Sequence, residues 1–426
     1  MSDAWIIGSH STPFGRHGDL DFKALTRQTY LGVLADAGLA GSGGAPIESA
    51  WFGNCLMDTW GQGSIRGQVC TVELVDEGLF PRHVPVINVE GACATASMAL
   101  HAASKEIRSG DADVVLALGV EKVHRPEAAT DPAVRQAMFD SFDAGMDNFD
   151  RSRLLDEYAE AAAVAGRSFE HGPGRTLFMD TYAMQAALHM HRFGTTQAQI
   201  AASAAKNHTY GSLNPNAQYR FAMTVDEVLA DREVSWPLTR SMCAPIGDGA
   251  ASAIVCSERF LAARPEPVRA RAVRIMATAL TGGTYRAVEE PSLSWHAAQR
   301  AYARAGIAPA DVDVAEVHDA TSFGEIHQVE AMGFCDEGQG GPFVAAGETG
   351  PGGTIPVNTG GGLVSKGHPV GATGLSMVNE LVTQLRGEAG ERQVADARVA
   401  LQENGGGVMG LEEAACSVTL LARSDR

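Results

Sequence analysis

The chain has 426 residues, 45% of them hydrophobic, and carries 33 Lys and Arg against 51 Asp and Glu, a net charge of −18. That length exceeds what one hydrophobic core usually serves, so two core units or a duplicated fold are expected. The negative balance argues against a nucleic-acid or anionic-membrane surface and leaves any anionic ligand to a local basic patch.

Seven scattered cysteines (55, 70, 93, 243, 256, 335 and 416) without CxxC spacing indicate neither a disulfide framework nor a zinc site, and fit a reducing cytosol. The chain runs from Met1 straight into the strand Trp5-Ile-Ile-Gly8 with no basic leader, and no apolar run approaches a membrane span. The closing Arg423-Ser-Asp-Arg426 is not a peroxisomal address. Phe22 to Leu39 has helical periodicity, and Trp51 to Leu56 reads as a second strand. Val84 to Val89 is a third, leading through Gly91 into a helix that carries Ala96, Ala99, Leu100, Ala103 and Ile107 at helical spacing. The apolar strand Val114 to Gly119 follows, and this alternation implies parallel strands.

Between about 121 and 247 the strand pattern lapses into acidic, methionine-bearing segments with helix-like runs at 179–193 and 197–210, which reads as an inserted loop domain. Strand returns at Ala251 to Cys256, and the next boundary falls at roughly 258–268. From Val268 the same order resumes: a β-rich run to Leu280, a helix around 293–305, the strand 312–317, and a helix from about 322 to 333. Then come a short strand Ile355-Pro-Val-Asn358, a helix from about 371 to 386, the strand Arg398 to Gln402 and a last strand Ala415 to Leu421. Two halves with one order of elements suggest a duplicated α/β core.

Four stretches carry groups capable of chemistry. In Val89-Glu-Gly-Ala-Cys93-Ala-Thr, a strand passes through a glycine, where a backbone without Cβ turns sharply, and leaves Cys93 at a helix start. Free N–H groups and the helix dipole there favour thiolate, as in a nucleophile elbow with sulfur for oxygen; a buried structural cysteine is the alternative. His318, in Glu316-Val-His-Asp-Ala320, leaves an apolar strand where ligands gather in α/β sheets, able to donate a hydrogen bond or exchange a proton; a structural histidine is the alternative. The run Asn358 to Gly374 sets six glycines and a proline around His368, yet meets neither GxGxxG nor GxxxxGK[ST], so nucleotide binding of those kinds is not indicated. The fourth, Asn404-Gly-Gly406-Gly, follows a strand and offers main-chain N–H groups for an oxyanion hole, or simply a turn.

With Cys93 in its elbow, HDA at 318–320, GHPxGATG at 367–374 and NGGG at 404–407, in that order, the chain resembles the thiolase superfamily, and within it the sterol carrier protein type. Thr321 stands where phenylalanine is usual. The resemblance runs from Thr12-Pro-Phe-Gly15 through Asn214 to Arg220 and Gly247 to Ala251 up to the last strand. It implies a five-layered αβαβα fold of two similar halves, here 1–120 with 248–262 and 263–426, with a loop domain over 121–247. It also implies an acyl-CoA C-acyltransferase that cleaves a 3-oxoacyl-CoA with CoA or runs the reverse Claisen condensation, on lipid or aromatic acyl groups.

By the same resemblance Cys93 takes the acyl group and His368 draws its proton. The N–H groups of Cys93 and Gly406 hold the oxyanion, and His318 with a water holds the thioester oxygen of the second acyl-CoA. Many thiolases carry a second cysteine at the position of Asn404, and many sterol-carrier-type members one at that of Ala320; neither replacement exchanges a proton at neutral pH. The acid/base group is then His318, His368 or a group on the substrate. CoA enters as substrate with no tightly bound cofactor, along the run Met242 to Gly247 that includes Ala244, with Arg220 and Lys206 as phosphate partners. The resemblance further implies a cytoplasmic homodimer or homotetramer, with Gly61 to Arg66 facing the dimer partner, and for some relatives a small OB-fold, zinc-ribbon partner subunit. The alternatives are a lyase, or a catalytically silent subunit that binds CoA esters within a hetero-complex.

Overall fold

A computed structural model describes residues 3–287 and 289–425; Met1, Ser2 and Arg426, read above for targeting signals, lie outside the described residues. The strands in chain order are β1 (Ala4–Ser11), β2 (Ser49–Gly53), β3 (Val86–Val89), β4 (Val114–Glu121), β5 (Glu233–Ser235), β6 (Leu238–Thr239), β7 (Gly249–Ser257), β8 (Val273–Gly282), β9 (Val314–Glu316), β10 (Val399–Gly406) and β11 (Ala415–Arg423). β5 and β6 form a small hairpin, and the other nine make one sheet in the order β3-β2-β4-β7-β1-β8-β11-β10-β9.

That order is one motif used twice. β2 pairs parallel with β3 and β4, β4 antiparallel with β7, and β7 antiparallel with β1. In the second half β9 pairs parallel with β10 and through Val357, β10 antiparallel with β11, and β11 antiparallel with β8. The halves meet where β1 runs antiparallel to β8, with Ala4 opposite Ile275. The sheet is therefore mixed where parallel strands were expected. Helical crossovers enforce parallel pairing for β2 to β4 and again from β9 to β10; the short link 407–414 between β10 and β11 permits only the antiparallel return.

Three apolar clusters stack the molecule in layers. The helices Phe22–Asp36 and Arg66–Asp76 cover one face of the first half-sheet through Leu25, Tyr30, Leu34 and Leu74. The helices Thr95–Ser109 and Thr373–Leu385 share the middle cluster, Leu100 and Ile107 with Leu375, Val378 and Leu381, packed against the inner faces of both half-sheets. The helices Leu293–Ala305 and Ser322–Ala331 cover the far face of the second. Five layers, α, β, α, β, α, result, as expected.

Between β4 and β7 the helices Leu177–Phe193 and Gln197–Leu213 are fixed at their starts by Thr176 and Thr196, whose hydroxyls accept from Met179 and Gln199 N–H. Both pack into the same apolar cluster as the second outer layer. Two expectations change in detail. The strand at 355–358 contracts to one bridge at Val357, since Asn358 at φ +58° turns the chain away. And β10 continues through Gly406, so part of the glycine run lies inside a strand.

Candidate active site

The middle-layer helices both begin at one end of the sheet, and their first turns bring Cys93 and His368 together. Cys93 sits in the 3₁₀ turn Ala92–Ala94 that precedes the helix Thr95–Ser109. The left-handed residue of this elbow is Ala92 (φ +49°), one place later than expected, while Gly91 is extended at φ −173°. A Cβ at Gly91 would lie 2.2 Å from the Met98 sulfur, so that flexible side chain would have to move aside. The Thr95 hydroxyl accepts from Gly91 N–H at 2.9 Å and locks the turn.

His368 Nε2 lies 3.1 Å from Cys93 Sγ. Its Nδ1 is 2.7 Å from Thr373 Oγ1, and that hydroxyl donates to the Pro369 carbonyl at 3.1 Å. The hydroxyl proton being committed, Thr373 accepts from Nδ1–H, which leaves Nε2 unprotonated and facing the thiol. Gly367 at φ +107° gives the backbone path that aims the ring, a conformation closed to residues with a Cβ.

Burial pushes the Cys93 thiol up to about 12, with the Glu413 charge adding to it and the N–H groups of Cys93 and Gly407 opposing. Burial, and then His318, hold the His368 imidazole well below its usual range. Burial thus favours the neutral thiol and the neutral imidazole, against the pull toward thiolate that a helix start exerts. Two amides do not offset removing the sulfur from water.

His318 leaves the end of β9 and is almost fully buried, its ring 5.4 Å from that of His368 between centroids. One ligand atom each of Cys93, His318 and His368 lies within 4.8 Å of the others; with Glu403, Glu413 and Cys416 these are the groups among the described residues able to hold a metal ion. His318 N–H donates to Glu403 Oε2 at 2.9 Å, and Nδ1 lies 3.5 Å from Glu413 Oε1. Its Nε2 is buried without a protein partner.

The other expected residues divide. Ala244 and Ala320 line the cavity together, joined by Ala244 N–H to the Ala320 carbonyl at 2.9 Å. Asn404 turns away: its Oδ1 accepts from Ser97 Oγ at 2.7 Å, tying β10 to the helix Thr95–Ser109. Gly406 serves close approach, for a Cβ there would be 2.3 Å from Ala94 N and 2.7 Å from Cys93 N. The main-chain N–H of Gly407, next along the same run, also lowers the Cys93 thiol from the β10 side. Lys206 does not reach the cavity; Nζ is taken by Glu325 at 2.5 Å and the Val357 carbonyl at 2.6 Å. Arg220 is exposed and outside the cavity lining.

The cavity over Cys93 has a volume of about 640 Å³. Its wall includes Cys55, Phe178, Tyr182, Arg16 and Arg232, none of which motif reading had singled out. Cys55 lies 3.1 Å from the Ala92 carbonyl, bracing the elbow. Arg16 and Arg232 are exposed cations at this wall, while Arg240 and Arg175 beside them are paired with Asp231 and Asp180.

Comparison with known proteins decides the family. The profile described as "Thiolase, N-terminal domain" matches residues 4–228, and "Thiolase C-terminal domain-like" matches 291–418. The chain belongs to the thiolase family. Among its relatives is the acetyl-CoA acetyltransferase of Methanothermobacter thermautotrophicus, 34% identical over 96% of this chain and 98% of that protein. Sterol carrier protein 2 of Bos taurus is 35% identical over 96% of this chain and 73% of that protein. The benzoylsuccinyl-CoA thiolase subunit BbsB of Thauera aromatica is 30% identical over 95% and 94%. The solved structure of the Ltp2-ChsH2(DUF35) aldolase shares the fold at a TM-score of 0.76 and 21% identity, covering 100% of this chain and 99% of that one.

This thiolase is thus an enzyme of the acyltransferase type, resembling the sterol-carrier-type branch as well as the acetyltransferases, and thiolases take CoA thioesters as substrates. No helix among its described residues is long and apolar enough to cross a membrane. The carboxylates behind His318 went unread as site residues. Their signal was present: Glu403 directly follows the strand 398–402, and Glu412-Glu413 precede the apolar strand 415–421.

Proposed function

We propose that this thiolase transfers acyl groups between CoA thioesters and CoA through an acyl-cysteine at Cys93, cleaving a 3-oxoacyl-CoA or condensing two acyl-CoA molecules. The 3.1 Å contact between Cys93 Sγ and an unprotonated His368 Nε2 on the cavity wall carries this reading. His368 takes the thiol proton as sulfur attacks the carbonyl, so charge appears only when a substrate is there to receive it. The N–H groups of Cys93 and Gly407 face the oxygen that becomes negative; one such donor is worth roughly 3 kcal/mol. Gly406 acts by letting β10 approach the elbow. His318, with a water, serves the second acyl-CoA at its thioester end.

CoA binds along the wall that includes Ala244, with its phosphates at Arg16 and Arg232 in place of Arg220 and Lys206. The chemistry needs no tightly bound cofactor. The same reading divides the chain into halves 1–120 with 248–262 and 263–426, and a loop domain over 121–247. Its free, unpaired cysteines support a cytoplasmic setting. A homodimer or homotetramer is supported by β3 at the sheet edge with Trp60, Ile65 and Val72 exposed near it. That BbsB is named a subunit, and that the aldolase is named with ChsH2(DUF35), supports a partner subunit, which on this reading is a small OB-fold, zinc-ribbon protein.

Mass spectrometry after mixing with acetyl-CoA, butyryl-CoA or benzoyl-CoA tests the reading. An acyl adduct on Cys93, lost in Cys93→Ala, is expected. Binding of these esters without any adduct would favour a silent subunit, and cleavage of an adduct-free substrate a lyase.

A further inference from the structure

The acyl-transfer reading leaves one proton without an owner, the one that joins or leaves the α-carbon. Asn404 points away from the cavity and Ala320 has no proton to give. Cys416, the thiol nearest to β10's glutamate, lies behind the site, 3.3 Å from Glu403 Oε1 and 3.5 Å from Ser294 Oγ. His368 is committed at both nitrogens, to Thr373 and to Cys93.

His318 is placed differently. Its Nδ1 faces the Glu413 carboxylate at 3.5 Å, the ion pair that Glu413 makes among the described residues, and its Nε2 is buried with no protein partner beside Cys93 and His368. Glu413 is held for this position. Its Oε2 accepts from Ser294 Oγ at 3.2 Å, and its Oε1 occupies the space above Gly405, where a Cβ would come within 1.8 Å of it. Glu403, which fixes the His318 main chain, shares that serine at 3.2 Å. The two histidines are thus placed differently: His368 Nδ1 meets a hydroxyl, whereas His318 Nδ1 meets a carboxylate that can orient the ring and balance a proton given or taken at Nε2.

We propose that His318 and Glu413 form the acid/base couple for the α-carbon in place of the absent second cysteine, with His318 Nε2 the catalytic group and Glu413 the positioning residue. The proposal rests on the acyl-transfer reading. In cleavage, Cys93 sulfur bonds to the 3-oxo carbon, and the bond between that carbon and the α-carbon breaks with its electron pair passing to the leaving acyl-CoA as an enolate. The His318 Nε2–H bond then breaks and an α-carbon–H bond forms, leaving neutral imidazole with Nδ1–H still on Glu413. In condensation Nε2 takes that proton and the imidazolium is paired by Glu413.

The test separates acylation from proton exchange, using acetyl-CoA as the probe. The wild type in deuterated water should exchange the acetyl methyl hydrogens and label Cys93. Glu413→Gln should label Cys93 at close to the wild-type rate but exchange methyl hydrogens about 10²- to 10⁴-fold more slowly, with Glu413→Asp between them. Unchanged exchange in Glu413→Gln overturns the proposal, as does equal loss of labelling and exchange in a folded variant, and so does absence of exchange in the wild type. Should Glu413→Gln not fold, His318→Gln, which keeps both carboxylates, must show the same split. Absence of a Cys93 adduct in the wild type with exchange intact would overturn the acyl-transfer reading instead and leave the couple standing.

Discussion

The turn before the helix Thr95–Ser109 and the turn before the helix Thr373–Leu385 are both three-residue 3₁₀ turns ending at a threonine. The duplication sets Cys93 in the first opposite Gly371 in the second. Around Gly371 the space is closed. Its N–H donates to the buried Glu121 carboxylate at 3.2 Å, which also accepts from Cys55 N–H at 3.0 Å, and its carbonyl lies 2.2 Å from where a Cβ on Gly119 would be. Around Cys93 the matching strand, β10, ends in glycines, and the N–H groups of Cys93 and Gly407 face the sulfur beside a cavity. One elbow has its central amide occupied by the protein's own carboxylate; the other opens beside a cavity, where the proposed mechanism gives its amides to a substrate oxygen. The difference lies in whether the facing strand ends in a side chain or in glycines.

That contrast yields graded tests. The largest effect is expected at the reactive elbow. His368→Asn should slow acylation of Cys93 by about 10²- to 10⁴-fold in a single-turnover mass measurement, with the fold intact. A change of less than tenfold would remove His368 from the proton path.

Next comes the carboxylate of the closed elbow. Burial raises Glu121 from 4.5 to about 7, against the pull of the N–H groups that it accepts. The folded state therefore keeps a proton that the unfolded chain releases, and Glu121's contribution to stability falls as pH rises from about 4.5 to about 7, by on the order of 3 kcal/mol. Glu121→Gln has no proton to lose. Urea unfolding at pH 5 and pH 7.5 should show a flatter dependence in the variant, and parallel curves would mean that Glu121 is not held protonated.

The smallest effect is steric. A Cβ at Gly371 would sit 2.9 Å from the Val120 carbonyl and 3.0 Å from Glu121 Oε2, so Gly371→Ala should cost roughly 1–3 kcal/mol in unfolding free energy while Cys93 acylation is retained. Full stability would show that the closed elbow has room to spare.

Much of this was legible in the chain, because strand, glycine turn and helix leave strong local signals. The helix Leu293–Ala305 falls on its expected span, and Cys93 and His368 stand out by the turns that carry them. What local pattern could not give is where β10 ends within the glycine run, and one residue along an extended strand reverses the direction of a main-chain N–H. A helix start, which favours thiolate, announces itself in sequence, whereas the burial that opposes it depends on the half of the chain that arrives 275 residues later. Lys206 and Arg220 were chosen by charge alone. Glu325, which takes Lys206, lies on a helix more than a hundred residues away and gives no local sign.

Burial that pushes the Cys93 thiol up also makes it a poor target for oxidants. Peroxide and alkylating agents react with the thiolate, which burial disfavours, and Phe178 and Tyr182 wall the approach. On the proposed mechanism this setting gives the molecule chemical endurance: the sulfur becomes reactive when its own substrate is there to receive the charge.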